Sequence, residues 1–185
     1  MPREIIIVPY DDNWNKRFTE INDVLKNIFS GVYLGIYHIG STSIPGMPAK
    51  PIIDVMVTFD DINTVDRLSY RMMEANYISK GENGVADRRY FQKLAVDGIN
   101  HTEHIHCFAK DNPLVKDHLL FRDYLLIDKD AFNRYRNVKL EAAKLFPFDP
   151  VKYTKFKSDC IESIMIKAKA HFDDCRLQVS IGILS

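Results

Sequence analysis

Residues 38–57, HIGSTSIPGMPAKPIIDVMV, bring Gly40, Ser41, Thr42, Lys50 and Asp54 into one short segment. A glycine followed by serine at the end of an apolar strand lets backbone N–H groups approach a phosphate closely while the hydroxyl adds a donor. Gly40, Ser41 and Thr42 are therefore the phosphate-binding candidates, with Lys50 supplying positive charge. Asp54 follows inside an otherwise apolar run and is a hard oxygen ligand suited to Mg²⁺ or Mn²⁺. Together they have the chemistry to hold a metal-bound triphosphate. The plain alternatives are a capping turn for the glycine-serine pair and a buried acceptor for Asp54. A carboxylate in a central strand is costly without a cation or several donors, which favours the functional reading.

A second group lies in HIH, residues 104–106. Alternate residues of a strand share a face, so His104 and His106 point the same way and could meet Asp54 from a neighbouring strand. Two imidazoles and a carboxylate suit Zn²⁺, Mn²⁺ or Fe²⁺, or one imidazole serves as general base. Asp54, His104 and His106 are thus both the catalytic and the metal-ligand candidates. Half-buried histidines bonded to their neighbours are the competing structural reading. Arg89, Lys93 and Arg122 complete the candidates for contact with an anionic substrate, although Arg122 also reads as an ion pair with Asp123. His38 either orients the loop or packs, and His101, His118 and His171 read as surface residues.

The elements that must position these groups follow from spacing. Asp11 and Asp12 offer a cap for a helix with Trp14, Phe18, Ile21, Leu25 and Ile28 on one face. Residues 32–39 and 51–59 read as strands, the second buried on both faces, and Asp60 and Asp61 open a second helix. Residues 88–96 and 99–108 flank Asp97-Gly98, the signature of a two-residue hairpin loop. That loop sets Phe91 against His104 and Arg89 against His106, and so puts Arg89 and Lys93 on the histidine face; a slip of one residue reverses the assignment. Asn112-Pro113, Asp128 and Asp149-Pro150 start three helices, the last carrying Tyr153, Phe156, Cys160, Ile164 and Ala168 at helical spacing. The segment from Asp173 reads as a tail or a swapped strand.

The order of a histidine, GST, a proline-glycine turn and KPIID, then HIH, FRDYL at residues 121–125, Tyr135 with Lys139, and Tyr153 with Lys157, resembles the GrpB-like family over about residues 5–170. The resemblance implies an α+β, nucleotidyltransferase-like fold: a small mixed or antiparallel sheet flanked by helices, with a helical C-terminal part. It implies a core at residues 1–110, helices of the same domain at 111–172 and a tail at 173–185. In such folds a glycine-serine loop joins a D-x-D strand, and two metals activate the attacking group and the departing pyrophosphate. Here Met56 stands where the second aspartate would be, and methionine does not bind hard cations.

Three functions compete. One is nucleotidyl transfer from a nucleoside triphosphate to an unknown small-molecule or macromolecular acceptor, with Mg²⁺ or Mn²⁺ as cofactor. A second is a degenerate module that binds a nucleotide or phosphometabolite without chemistry. The third is a metal-dependent hydrolase built on Asp54 and the two histidines, with Zn²⁺ as a possible metal. Lysine plus arginine equals aspartate plus glutamate, 25 each, so no global field favours a dedicated nucleic-acid surface or an anionic membrane. The opening apolar run is short for a signal peptide and three cysteines make no disulfide framework, so a cytoplasmic location is expected.

Overall fold

A computed structural model describes residues 4–182. Helix α1, Asn13–Ile28, begins where Asp11 Oδ1 accepts the Asn13 amide, and buries Trp14, Ile21, Leu25 and Ile28. Strand β1, Tyr33–Ile39, runs into a 3₁₀ turn at Ser41–Ser43. Strand β2, Ile53–Phe59, pairs antiparallel with β1. Helix α2, Asn63–Glu74, follows Asp61, whose carboxylate accepts the Asn63 amide. The short β3, Ile78–Ser79, was not visible in the sequence pattern because two residues carry no period. Strands β4, Arg89–Leu94, and β5, His101–Ala109, complete a mixed sheet of order β1-β2-β5-β4-β3, with β2 and β5 parallel.

The two faces of this sheet differ. Ile53, Val55 and Val57 of β2, Phe91 of β4, and Ile105 and Cys107 of β5 form one hydrophobic core with α1 and α2. The alternation of β-strands then sends Asp54, Met56, His104 and His106 to the opposite face. Phe59, fully buried and edge-on to Phe29 at 5.0 Å, anchors the helix-covered side. Phe59→Ala should cost about 3–5 kcal/mol in urea unfolding, the usual range for an excavated aromatic core site. A cost below about 1 kcal/mol would mean that this face is not the core.

The hairpin departs from the expected register. Asp97 Oδ1 accepts the Ile99 and Asn100 amides, and the Gly98 amide reaches Ala95 O, so the connection occupies residues 95–100. Thr102 is an extra residue on β5, where the pairing shifts from Leu94↔His101 to Lys93↔Glu103. Phe91 consequently faces Ile105, and Arg89 faces Cys107. The one-residue slip turns Arg89 and Lys93 to the helix-covered side, away from the histidines.

By compactness the described residues divide into two units, one of Ile7–Lys116 and the other of residues 4–6 and 117–182, with the division inside α3, Pro113–Ile127. In the second unit Asp128 caps α4, Lys129–Leu145, through the Ala131 amide, and Asp149 caps α5, Pro150–Phe156, through Lys152. The single long helix expected after Asp149 breaks at Lys157 into α5 and α6, Ser158–Gly182, while Tyr153, Cys160, Ile164 and Ala168 are buried as their spacing required. Backbone from Asp173 to Gly182 is helical rather than tail or strand, and the last three residues lie outside the described ones. No helix among the described residues is long and apolar enough to cross a membrane.

Candidate functional site

Asp54 is brought to its partners by pairing on both sides of β2: Ile39 faces it across the antiparallel ladder and His104 across the parallel one. Its Oδ1 lies 3.1 Å from His104 Nδ1 and 3.4 Å from His106 Nε2. Burial opposes ionisation of Asp54, yet its hydrogen bonds with His104 and His106 prevail and hold its carboxyl far below the ordinary 3.8. The side chain is still 29% exposed, so a ligand can reach an ionised carboxylate. His106 is held below its ordinary 6.5 by burial, against the opposing pull of Asp54.

The loop fits against that carboxylate. Gly40 has φ 70° and ψ −172°, a conformation open essentially to glycine, and a Cβ there would lie 2.6 Å from Asp54 Oδ2. Its carbonyl accepts from Ser43 Oγ at 2.6 Å, closing the turn that Ser41 opens. Thr42, expected among the phosphate contacts, is only 1% exposed. Its hydroxyl meets His38 Nε2 at 3.0 Å, and the His38 ring stacks on Phe18 at 4.7 Å. Thr42 and His38 therefore fix the loop from beneath, and Thr42 is not a contact for a ligand.

The remaining expected cations are dispersed. Arg89 makes a two-pronged ion pair with Asp66 of α2, at 2.7 and 2.8 Å. Lys93 lies 3.7 Å from Glu103, with its amine over the Tyr77 ring. Both are on the helix-covered side of the sheet and are corrected out of the site by the hairpin register. Lys50 is half-buried just ahead of β2. Arg122 is on α3 in the second unit, where its Nε donates to Asp123 at 2.7 Å.

Two neighbours were not anticipated. His101 Nδ1 lies 2.9 Å from His104 Nε2, although strict alternation sends residue 101 to the other face; the bulge at Thr102 restores it to this one. Arg88 is 8% exposed and reaches His106 Nδ1 at 3.3 Å. A histidine three residues before HIH was the available signal for the first; Arg88, just ahead of β4, had none.

An ionised carboxylate is by its chemistry a ligand for hard cations. The histidines fit a metal less well, because both meet Asp54 Oδ1 as hydrogen-bond partners. Among the described residues no three histidine, cysteine, aspartate or glutamate side chains form a group able to hold a metal ion. Asp54, His104 and His106, expected as a ligand set, meet here as hydrogen-bond partners.

The family model described as GrpB protein matches residues 4–167. The chain belongs to the GrpB family. YqkA of Bacillus subtilis is 38% identical over 167 residues, covering 90% of this chain and 48% of YqkA, so the chain spans about half the length of that relative. The crystal structure of the conserved protein GrpB from Enterococcus faecalis matches at a TM-score of 0.84 and 34% identity, over 90% of this chain and 99% of that one. Cid1, whose structure is described for RNA terminal uridylyl transferase activity, matches at a TM-score of 0.52 and 16% identity, over 75% of this chain and 42% of Cid1. That likeness is one of fold, and it makes the GrpB sheet nucleotidyltransferase-like.

Below neutral pH, His106 and Asp54 change stability in the same direction. His106 takes up a proton more readily unfolded than folded, so stability falls as pH drops below 6.5. The contribution of Asp54, present above 3.8, is lost as pH falls further towards its depressed folded value. Urea unfolding should therefore show declining stability from neutral pH into acid, with the upper part of the loss reduced in His106→Gln. A rise in stability on acidification would contradict this electrostatic account.

Proposed function

We propose that the Gly40–Asp54 site binds a nucleoside triphosphate with a divalent cation, Mg²⁺ or Mn²⁺, and that the chain transfers the nucleotidyl group to an acceptor. The observation that carries this reading is the seating of the Asp54 carboxylate against Gly40, where a Cβ would come within 2.6 Å of Oδ2. The turn beginning at Ser41 and an ionised carboxylate thereby share one spot. The opening amides of a helical turn have no partner within it and suit phosphate oxygens, with Ser41 and Lys50 as further contacts. A bound Mg²⁺ would supply charge neutralisation on the phosphates.

In the proposed reaction an acceptor hydroxyl oxygen bonds to the α-phosphorus and the bond from that phosphorus to the α–β bridging oxygen breaks. Pyrophosphate leaves with the electron pair. His104, held by Asp54 at Nδ1, takes the acceptor's proton at Nε2, which gives up its contact with His101 to do so. The nucleotidyltransferase-like fold supports this reading at the level of architecture.

Met56 favours a second reading. It is fully buried where the second carboxylate of a two-metal site would stand, as suits a module that binds nucleotide without transferring it. Incubation with α-phosphate-labelled ATP, GTP, CTP and UTP and a metabolite extract separates the two. Transfer predicts label on a new species with release of pyrophosphate, both lost in Asp54→Asn; nucleotide binding without pyrophosphate release would establish the module.

A further inference from the structure

We propose that the helix-covered side of the sheet carries a second binding site, for a small zwitterion of the amino-acid class. A cavity of about 200 Å³ opens there between α1, β4 and β5, on the face opposite Asp54. Ile21 and Val24 of α1 give it an apolar wall, and its charges come in two pairs: Arg17 with Lys93, and Glu20 with Glu103. The volume is below the roughly 300–1,000 Å³ of clefts that take drug-sized ligands, so an occupant is limited to about the size of one amino acid.

The charged groups are held in place but not used up. Arg17 donates from Nη1 to Pro51 O at 3.3 Å and from Nη2 to Thr102 O at 3.1 Å, which fixes the guanidinium and leaves it further N–H donors. Tyr77, only 2% exposed, donates its hydroxyl to Glu103 Oε2 and so fixes that carboxylate. The other oxygen, Oε1, lies 3.7 Å from Lys93 Nζ, beyond hydrogen-bond reach. That contact is one of charge, and both groups keep the capacity for a closer partner. Glu20, exposed on α1, supplies the second carboxylate.

The balance of signs selects the ligand. A molecule with only a negative group would suit Arg17 and Lys93 but meet repulsion from Glu20 and Glu103, and one with only a positive group would meet the reverse. A zwitterion satisfies both pairs: its carboxylate goes to Arg17 and Lys93, its ammonium to Glu103 and Glu20. Partners already fixed by Tyr77, Pro51 and Thr102 lose little freedom when it binds. Such binding needs neither nucleotide nor metal.

The test is calorimetric titration of the protein, free of nucleotide and divalent cation, with the standard amino acids. At least one is expected to bind saturably. Its carboxamide and its deaminated acid, each keeping one charge, should bind about tenfold more weakly or worse, the usual loss for a hydrogen bond to a charged group. Lys93→Met should weaken binding by a similar factor. Val24→Trp, which narrows the cavity and leaves every charge in place, should abolish it; Val24 is 37% exposed, so the larger ring is not forced into the core, and circular dichroism checks the fold. No binding by any amino acid would overturn the proposal, as would undiminished binding by the one-charge analogues or by a folded Val24→Trp protein. Binding of inorganic phosphate in place of amino acids would also overturn it, since a negative group alone would then suffice.

Discussion

Gly40→Ala is expected to abolish metal-dependent nucleotide binding and to destabilise the first unit. The backbone term alone is about 1–3 kcal/mol, because φ 70° with ψ −172° is a region side chains avoid. The added Cβ would also stand 2.6 Å from Asp54 Oδ2 and 3.0 Å from its Cβ, closer than such contacts allow. Either the loop or the carboxylate must move, and the hydrogen bonds to His104 and His106 resist movement of the carboxylate. Gly31→Ala provides the control: its φ is 79° but nothing lies within 4 Å of the added carbon. Urea unfolding of both variants isolates the contact from the backbone cost. Wild-type binding and stability in Gly40→Ala would mean that the loop and Asp54 do not form one site.

Met56→Asp should be the other large change. Met56 is fully buried on β2, opposite Tyr37 on β1 and His106 on β5. An aspartate there restores the D-x-D spacing but places a second anion beside Asp54 without a prepared partner. An uncompensated buried charge costs about 3–5 kcal/mol. Met56→Leu, nearly equal in volume, should cost less than about 1.5 kcal/mol. The expected result for Met56→Asp is a large loss of stability that Mg²⁺ or Mn²⁺ does not restore, since Arg88 and Asp54 already engage both nitrogens of His106. Recovery of stability with added cation would show that the position still accepts a metal and that only one substitution separates this chain from a two-metal site.

These variants test what the sequence made legible and what it did not. The meeting of Gly40, Asp54, His104 and His106 was legible because alternation along β2 and β5 and the glycine-serine turn are local properties of the chain. The helix starts were legible for the same reason: Asp61, Asp128 and Asp149 each accept an amide two or three residues on. Hairpin register is different in kind. It depends on how Asp97 folds the connection and on one extra residue at Thr102, and a single slip moved Arg89 and Lys93 to the far face while recruiting His101. Burial also reassigns roles that residue type suggests. Thr42 is as good a phosphate donor as Ser41 on paper, but its hydroxyl is turned to His38.

His38 stacks on Phe18 and meets the Thr42 hydroxyl beneath the loop, Gly40 backs onto Asp54, and hydrogen bonds from the histidines favour the ionised carboxylate. Together these contacts hold the carboxylate against the turn.

The most direct measurement of what that arrangement binds is calorimetric titration of the wild type and of Asp54→Ala with ATP, GTP, CTP and UTP, with Mg²⁺ or Mn²⁺ present and absent. The expected result is binding of at least one nucleotide by the wild type only with the cation, and a loss in Asp54→Ala exceeding the roughly 10–100-fold typical of an outer-shell partner. No binding of any nucleotide by the wild type, or equal binding by Asp54→Ala, would contradict it.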